Sequence, residues 1–326
     1  LVRGSDPFYG MPDITKFREA SFKVPYIFSF SGVMDDTTVM ADLIMPEHNP
    51  LESWGTDIPF PGPGYEVVGL QQPVVRPFFE NRGEHLGTKG FGDILINISQ
   101  ELGIDIGTKA GSFKDLIQES CIELYKLNRG SVSASDFKSF WHGILQRGGW
   151  WDTSERADQQ TPKPPALPQK PLEPVNKGKE SSYPFYLVPF ENHGIGTGSL
   201  AHVPWLQGTP DPVTTIAWGT WVELNPKTAK DLNVREEMLV TIESTTGDTI
   251  EAPVYVNPAS PPNVVGVPFG QGHTQLTRYA AKRGSNPFSI LEPATEDETG
   301  ALAWAATRVR VVKTVRKQRI AKLEGY

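Results

Sequence analysis

Residues 239–256 run Leu239-Val240-Thr241-Ile242-Glu243-Ser244-Thr245-Thr246-Gly247-Asp248-Thr249-Ile250-Glu251-Ala252-Pro253-Val254-Tyr255-Val256. Two segments rich in β-branched residues, Val240–Ser244 and Thr249–Pro253, flank Thr246-Gly247-Asp248, the signal of an antiparallel hairpin. Further short apolar runs stand at Tyr186-Leu187-Val188 and at Val264-Val265-Gly266-Val267, each bounded by turn residues. One helix interrupts them from Pro226 to Leu232, with proline near its first turn, where the missing N–H costs nothing. Residues 183–312 are therefore expected to close into a compact β-barrel carrying one or two small helices.

Upstream of the barrel the composition changes. Residues 153–182, including Thr161-Pro162-Lys163-Pro164-Pro165, are rich in Pro, Lys and Gln and read as an extended linker. Before the linker, residues 1–152 alternate strand and helix patterns, as in a partial parallel α/β domain. A short helix is expected from Asp13 to Ala20. Val24-Pro25-Tyr26-Ile27-Phe28-Ser29-Phe30 suits a strand buried on both faces, and Ala41-Asp42-Leu43-Ile44-Met45-Pro46 suits a second. Residues 46–77, with Pro59-Phe60-Pro61-Gly62-Pro63-Gly64, read as an irregular excursion that no helix tolerates. Helical spacing returns at 92–102 and 112–127, and a third helix is expected from an N-cap at Ser135 to Leu145, ending at Gly148-Gly149. Beyond the barrel, residues 313–326 form a basic tail with Lys313, Arg316, Lys317, Arg319 and Lys322, either a solvated helix face or a docking segment.

Bulk properties exclude several functions. The 326 residues carry 31 Lys+Arg against 38 Asp+Glu, a net charge of −7, which argues against a general nucleic-acid partner that works by neutralising phosphates. No window approaches the roughly 18–20 apolar residues of a spanning helix, so membrane association has to run through partners or a peripheral surface. The single cysteine, Cys121, lies in an apolar helical pattern; alone it builds neither a disulfide nor a cysteine-ligated cluster. The start, Leu1-Val2-Arg3-Gly4-Ser5-Asp6-Pro7, has no initiator Met and no signal peptide and resembles the end of a strand entering a turn. An upstream portion is expected.

Familiar catalytic patterns are missing: the sequence contains no G-x-S-x-G, no H-E-x-x-H and no G-x-x-x-x-G-K-[ST]. His193, His202 and His273 lack metal-ligand spacing, and no metal ligand or catalytic residue is assigned. Gly194-Ile195-Gly196-Thr197-Gly198 follows a strand, as phosphate-cradling loops do, without the full fingerprint. Trp205, Trp218 and Trp221 read as core or interface anchors.

Three segments in fixed order carry a family resemblance. Gly4-Ser5-Asp6-Pro7-Phe8-Tyr9 together with Asp35-Asp36-Thr37-Thr38-Val39-Met40-Ala41-Asp42-Leu43-Ile44-Met45-Pro46 resembles the G-x-N-P turn and the D-x-x-x-T-x-x-x-A-D segment of molybdopterin oxidoreductases, the dimethyl-sulfoxide-reductase family. Pro204-Trp205-Leu206-Gln207, Pro210-Asp211-Pro212 and Trp221–Pro226 resemble the opening of that family's molybdopterin-dinucleotide-binding domain, a double-psi-type barrel. Val267-Pro268-Phe269-Gly270-Gln271-Gly272-His273, Arg278-Tyr279-Ala280 and Gly284-Ser285-Asn286-Pro287 follow. This last combination is most similar to the large iron–sulfur subunit of alternative complex III.

The resemblance implies a C-terminal part of such a protein, with an α/β domain followed by the barrel. By analogy Gly4, Asp6, Asp36 and Thr37 line one half of a cofactor cleft and Gly270, Gly272, His273 and Asn286 the other; His273 is equally readable as a buried histidine bonded to loop carbonyls. Two departures speak against a cofactor held by this chain. The family's metal ligand has no counterpart here, and position 6 is Asp where Asn is common, which adds charge against a pyrophosphate. The expectation is therefore a scaffold without its own cofactor. It would sit at the extracytoplasmic (periplasmic) face of a bacterial inner membrane, in a quinol:electron-acceptor oxidoreductase of respiratory or photosynthetic electron transport. Its partners would be a cluster-bearing ferredoxin-like region, cytochrome c and quinol-binding membrane subunits. The alternative is the C-terminal half of a polysulfide- or thiosulfate-reductase-like enzyme that binds molybdopterin guanine dinucleotide.

Overall fold

The computed structural model describes residues 1–77, 87–154, 176–297 and 299–323. It divides into two compact units, one made of residues 1–44 and 169–326, the other of residues 45–168.

The first unit opens with α1 (Pro7–Gly10), α2 (Phe17–Ser21), β1 (Phe28–Ser29) and β2 (Leu43–Ile44). β1 and β2 pair in parallel, and Val2 bridges to Ser29, also in parallel, so the expected α/β layer is present as three short parallel fragments. The helix expected over 13–20 is split: a 3-10 turn covers Asp13–Thr15, and Lys16, in the left-handed region at φ 51°, separates it from α2. The strand expected over 24–30 shortens to two residues, with Val24 and Tyr26 exposed rather than buried, because no described strand or helix covers them.

The second unit holds β3 (Gly55–Asp57), β4 (Glu66–Gln71), α3 (Phe91–Glu101), α4 (Phe113–Lys126), α5 (Phe137–Arg147) and β5 (Gly149–Asp152). β3, β4 and β5 form an antiparallel sheet. The excursion read over 46–77 thus hides two strands; its Pro-Gly run is the turn that joins them, and the strands' own alternation is too short to stand out beside it. Ile117, Cys121, Phe140, Trp141, Ile144 and Trp150 make this unit's core. Ser112 caps α4, its side chain accepting from the Asp115 N–H. Asp136, not Ser135, caps α5: its carboxylate accepts from the Ser139 N–H at 2.9 Å, a stronger charge-assisted cap than a hydroxyl.

The barrel strands are β6 (Phe185–Phe190), β7 (Val222–Leu224), β8 (Met238–Ser244), β9 (Thr249–Val256), β10 (Val264–Pro268) and β11 (Arg308–Lys317), with α6 (Pro204–Gln207), α7 (Pro226–Asp231) and α8 (Thr277–Ala280) between them. They close in the order β10-β6-β11-β8-β9-β7. β10 pairs with β6 and β7 with β9 in parallel, while β8/β9 and β8/β11 are antiparallel, the first of these being the hairpin read at 239–256. Val240, Ile242, Val254, Val265, Val267 and Val309 point inward and are fully buried. Burying each such side chain stabilises the fold by about 1.5–3 kcal/mol.

Two boundaries differ from the sequence reading. The basic segment from Lys313 is neither helix nor free tail: β11 runs through Lys317 against β8, and Ile320 packs on Ile216 and Trp221. Residues 1–44 group with the barrel rather than with the helices of 45–152, because Tyr9, Asp36 and their neighbours bond to barrel loops. Most of the linker read over 153–182 lies outside the described residues. Trp221 is core, whereas Trp205 is 75% exposed.

Candidate functional site

Asp6 stands just before α1, whose first residue is Pro7, so the carboxylate is free to reach across the chain. It accepts hydrogen bonds from the Thr37 N–H (2.9 Å) and the Thr37 hydroxyl (2.6 Å), with a longer one from the Asp36 N–H. Asp35 accepts from the Thr38 N–H at the start of the following 3-10 turn, Thr38–Met40.

Asp36 meets the loop after β10. One carboxylate oxygen accepts from the Thr274 N–H (2.8 Å), the Gln275 N–H (3.0 Å) and the Thr274 hydroxyl; the other faces His273 Nδ1 at 2.7 Å. His273 Nε2 faces the Gly198 carbonyl at 3.2 Å. Both ring nitrogens therefore look at acceptors. Tyr9 stacks on this ring at 3.7 Å between centroids and 11° between planes. Its hydroxyl donates to the Gln271 carbonyl and accepts from the Gly270 N–H, both at 3.0 Å, while Asn286 donates to the Tyr9 carbonyl at 2.7 Å.

Gly272 makes this crossing possible. At φ 90°, a Cβ there would fall 2.2 Å from the Asn286 nitrogen, so only glycine lets the two loops touch. Its own N–H donates to the Arg283 carbonyl.

The charges are unequal. Burial raises the Asp6 pKa, Thr37 opposes this, and the nearby Asp35 and Asp36 carboxylates raise it further. Burial also works against ionised Asp36, but hydrogen bonds from His273 and Thr274 and the charge of His273 outweigh it and hold its pKa below the ordinary carboxylate value. Burial pushes the Tyr9 phenol far up, so it stays protonated.

Tyr9 lines two cavities. The larger, about 680 Å³, also reaches Asp36, Gly272 and Asn286; its charged lining residues are Asp13, Glu19, Asp36 and Glu251 against Arg18. The smaller, about 490 Å³, takes in Gly4, Asp6, Asp35 and His273.

All eight residues singled out from the sequence, Gly4, Asp6, Asp36, Thr37, Gly270, Gly272, His273 and Asn286, are thus placed around one crossing of the N-terminal segment over the barrel loops. The sequence reading missed Tyr9 and Thr274, whose partners lie more than 230 residues away and leave no local pattern. Gly198 joins the site through its carbonyl, so the glycine run at 194–198 serves here as an acceptor for His273. His202 is half-buried and bonds within its own turn. Asp6, Asp36 and His273 place one potential metal-ligand atom each within 4.8 Å of one another, although the sequence assigns no metal ligand. In this geometry the same atoms are spent on one another and on loop N–H groups.

The family described as the molydopterin dinucleotide binding domain matches residues 210–303, the core of the barrel with the His273 loop. The menaquinone reductase, molybdopterin-binding-like subunit, of Nitratidesulfovibrio vulgaris is 26% identical over 315 residues, 96% of this chain. The chain is similar over most of its length to a molybdopterin oxidoreductase subunit, and its barrel matches that family's dinucleotide-binding domain. A tetrathionate reductase subunit of Salmonella typhimurium is 34% identical over 77 residues, 22% of this chain and 8% of that protein. Acetylene hydratase from Pelobacter acetylenicus shares the fold, with a TM-score of 0.64 at 15% identity over 95% of this chain. The chain spans 41% of the length of the menaquinone reductase relative and 43% of the acetylene hydratase chain, and what it matches is the C-terminal part of the family's fold. No helix among the described residues is long and apolar enough to cross a membrane.

Proposed function

We propose that this chain is the scaffold part of a large iron–sulfur subunit in a membrane-attached quinol:electron-acceptor oxidoreductase of the alternative-complex-III type, and that it holds no pterin itself. Clusters, quinol site and cytochrome c then belong to adjoining regions or subunits, at the extracytoplasmic face. One observation carries this reading: at the crossing, the groups that would greet a dinucleotide are already bonded to protein. The Gly270 and Gly272 N–H groups donate to the Tyr9 hydroxyl and the Arg283 carbonyl. Asp6, Asp35 and Asp36 bring three carboxylates to the same place, and their charge is set against a pyrophosphate. The residues present do not fit that group. The name of the Nitratidesulfovibrio relative, molybdopterin-binding-like, agrees in kind.

A second reading rests on the match to the tetrathionate reductase of Salmonella typhimurium: the C-terminal half of a sulfur-compound reductase that binds molybdopterin guanine dinucleotide when joined to the rest of its fold. Elemental mass spectrometry for molybdenum, tungsten and iron on the purified intact assembly, with fluorescence of oxidised pterin, separates the two. Iron without molybdenum, tungsten or pterin supports the scaffold. Stoichiometric pterin with either metal sinks it, and makes Gly270, Gly272, His273 and Asn286 cofactor contacts.

A further inference from the structure

β11 is longer than the neighbour on one of its sides. β6 begins at Phe185, opposite Val309, so it meets β11 only at Arg308 and Val309. From Arg310 to Lys317 the strand pairs, among the described residues, with β8 alone, and one backbone edge of this stretch has no strand partner. The register then steps from Lys313 opposite Val240 to Lys317 opposite Met238, four residues against two. Thr314 pins this bulge by donating to the Leu239 carbonyl at 2.6 Å. Val315 is thereby left wholly exposed, and Val312 is 43% exposed. Charge sets the stretch apart as well. Between 310 and 322 the sequence carries Arg310, Lys313, Arg316, Lys317, Arg319 and Lys322 and no Asp or Glu, in a chain of net charge −7. Arg310, Arg316 and Lys322 are answered by Glu243, Glu251 and Glu236. Lys313, Lys317 and Arg319 are exposed and form no ion pair among the described residues.

We infer that the open edge of β11 is a docking site for an extended acidic segment of a partner subunit, which adds as a strand beside residues 310–317 and sets its carboxylates against Lys313, Lys317 and Arg319. In strand addition the main chain supplies affinity and the side chains supply selectivity, and both are on offer here. Lysines and a bulge are also the devices that keep an edge from pairing with its own kind. They turn away a second copy, whose edge carries the same charge, but attract a strand of opposite sign. An anionic lipid surface answers the charge and leaves the backbone edge unpaired, whereas an acidic strand satisfies both. Such a site does not depend on the scaffold reading and exists whether or not the assembly contains pterin.

A photo-crosslinking residue in place of Val315, in the purified native assembly, tests this, with the captured peptides sequenced by mass spectrometry. Capture of an acidic segment of another subunit is expected, together with exchange of the 310–317 amides about tenfold slower in the assembly than in the isolated 326-residue chain. Capture only of lipid, of a second copy or of this chain itself overturns the proposal, as does equal exchange in the two samples. Lys313→Glu combined with Lys317→Glu is expected to cut crosslinking about tenfold. Both side chains are exposed, so the thermal midpoint of the isolated chain should stay within a few degrees. Replacing the captured segment's carboxylates by Lys is expected to restore the crosslink to that variant, and no restoration between folded partners overturns the proposal. If the reversed pair unfolds the chain, Lys313→Gln with Lys317→Gln and a series of raised salt concentrations take its place; crosslinking indifferent to both overturns it.

Discussion

Asp6 and Asp36 lie one hydrogen bond apart and are pushed in opposite directions. Asp36, held below its ordinary value, stabilises the fold above the normal carboxylate range, and that contribution is lost as pH falls through its folded pKa. Asp6, held above its ordinary value, is best tolerated when protonated; its favourable contribution is complete below the unfolded pKa and is lost as pH rises through the folded one. Asp36→Asn is therefore expected to cost about 2 kcal/mol at pH 7, the scale of hydrogen bonds to a charged group, with the difference shrinking in acid. Asp6→Asn keeps an acceptor for Thr37 and is expected to be neutral or stabilising at pH 7, with any gain vanishing in acid. Urea melts of both variants across that range check the signs, and two variants shifting in the same direction would refute the account. Gly272→Ala is expected to cost about 1–3 kcal/mol from backbone strain alone, before the clash with Asn286. A thermal midpoint unchanged from the parent chain would show that the loops are free to part. Of this cluster, the glycines and the Asp-His members were legible through the family resemblance. Tyr9 was not: its role depends on a ring stacking across 264 positions of sequence, from Tyr9 to His273, and nothing local to Phe8-Tyr9-Gly10 announces that.

At the scale of elements, strands declared themselves where a turn signal and β-branched residues coincided, as at β8 and β9 around Thr246-Gly247-Asp248. They were hidden where charge or proline dominated the composition. β11 carries Arg308, Arg310, Lys313, Arg316 and Lys317, so the buried Val309 and Val311 are masked by basic residues, all exposed except the buried Arg308. Arg310 pairs with Glu243 and Arg316 with Glu251, so part of the basic charge is answered by neighbouring strands. Beyond the strand, Ile320 is buried against Ile216 and Trp221. Ile320→Ala is therefore expected to lower stability by about 2–5 kcal/mol, the cost of a buried aliphatic truncation. A solvated tail would show a change within about 0.5 kcal/mol. Denaturant unfolding of the single variant separates the two, and the small value would return residues 318–323 to the status of a loose extension.

At the scale of the whole molecule, two cores with no shared residue underlie the two units: the barrel core around Val240, Val254 and Val267, and the core of residues 45–168 around Phe140, Ile144 and Trp150. The sequence set the boundary between barrel and helices by composition, at the proline-rich stretch, whereas contacts group residues 1–44 with the barrel. Hydrogen bonds involving Tyr9, Asp36 and Asn286 across more than 200 residues explain that assignment, and long-range bonds are what a local reading of composition misses. Separate cores imply separate opening. Ile144 is fully buried in the smaller core, and Ile144→Ala is expected to destabilise residues 45–168 by about 2–5 kcal/mol. Native-state hydrogen exchange should then show faster exchange across α4, α5 and β5 by the corresponding factor, with barrel strands β8 and β9 unchanged, because each unit opens with its own free energy. Uniformly faster exchange in β8 and β9 would mean that the two cores unfold as one, and that residues 45–168 contribute directly to the stability of the barrel.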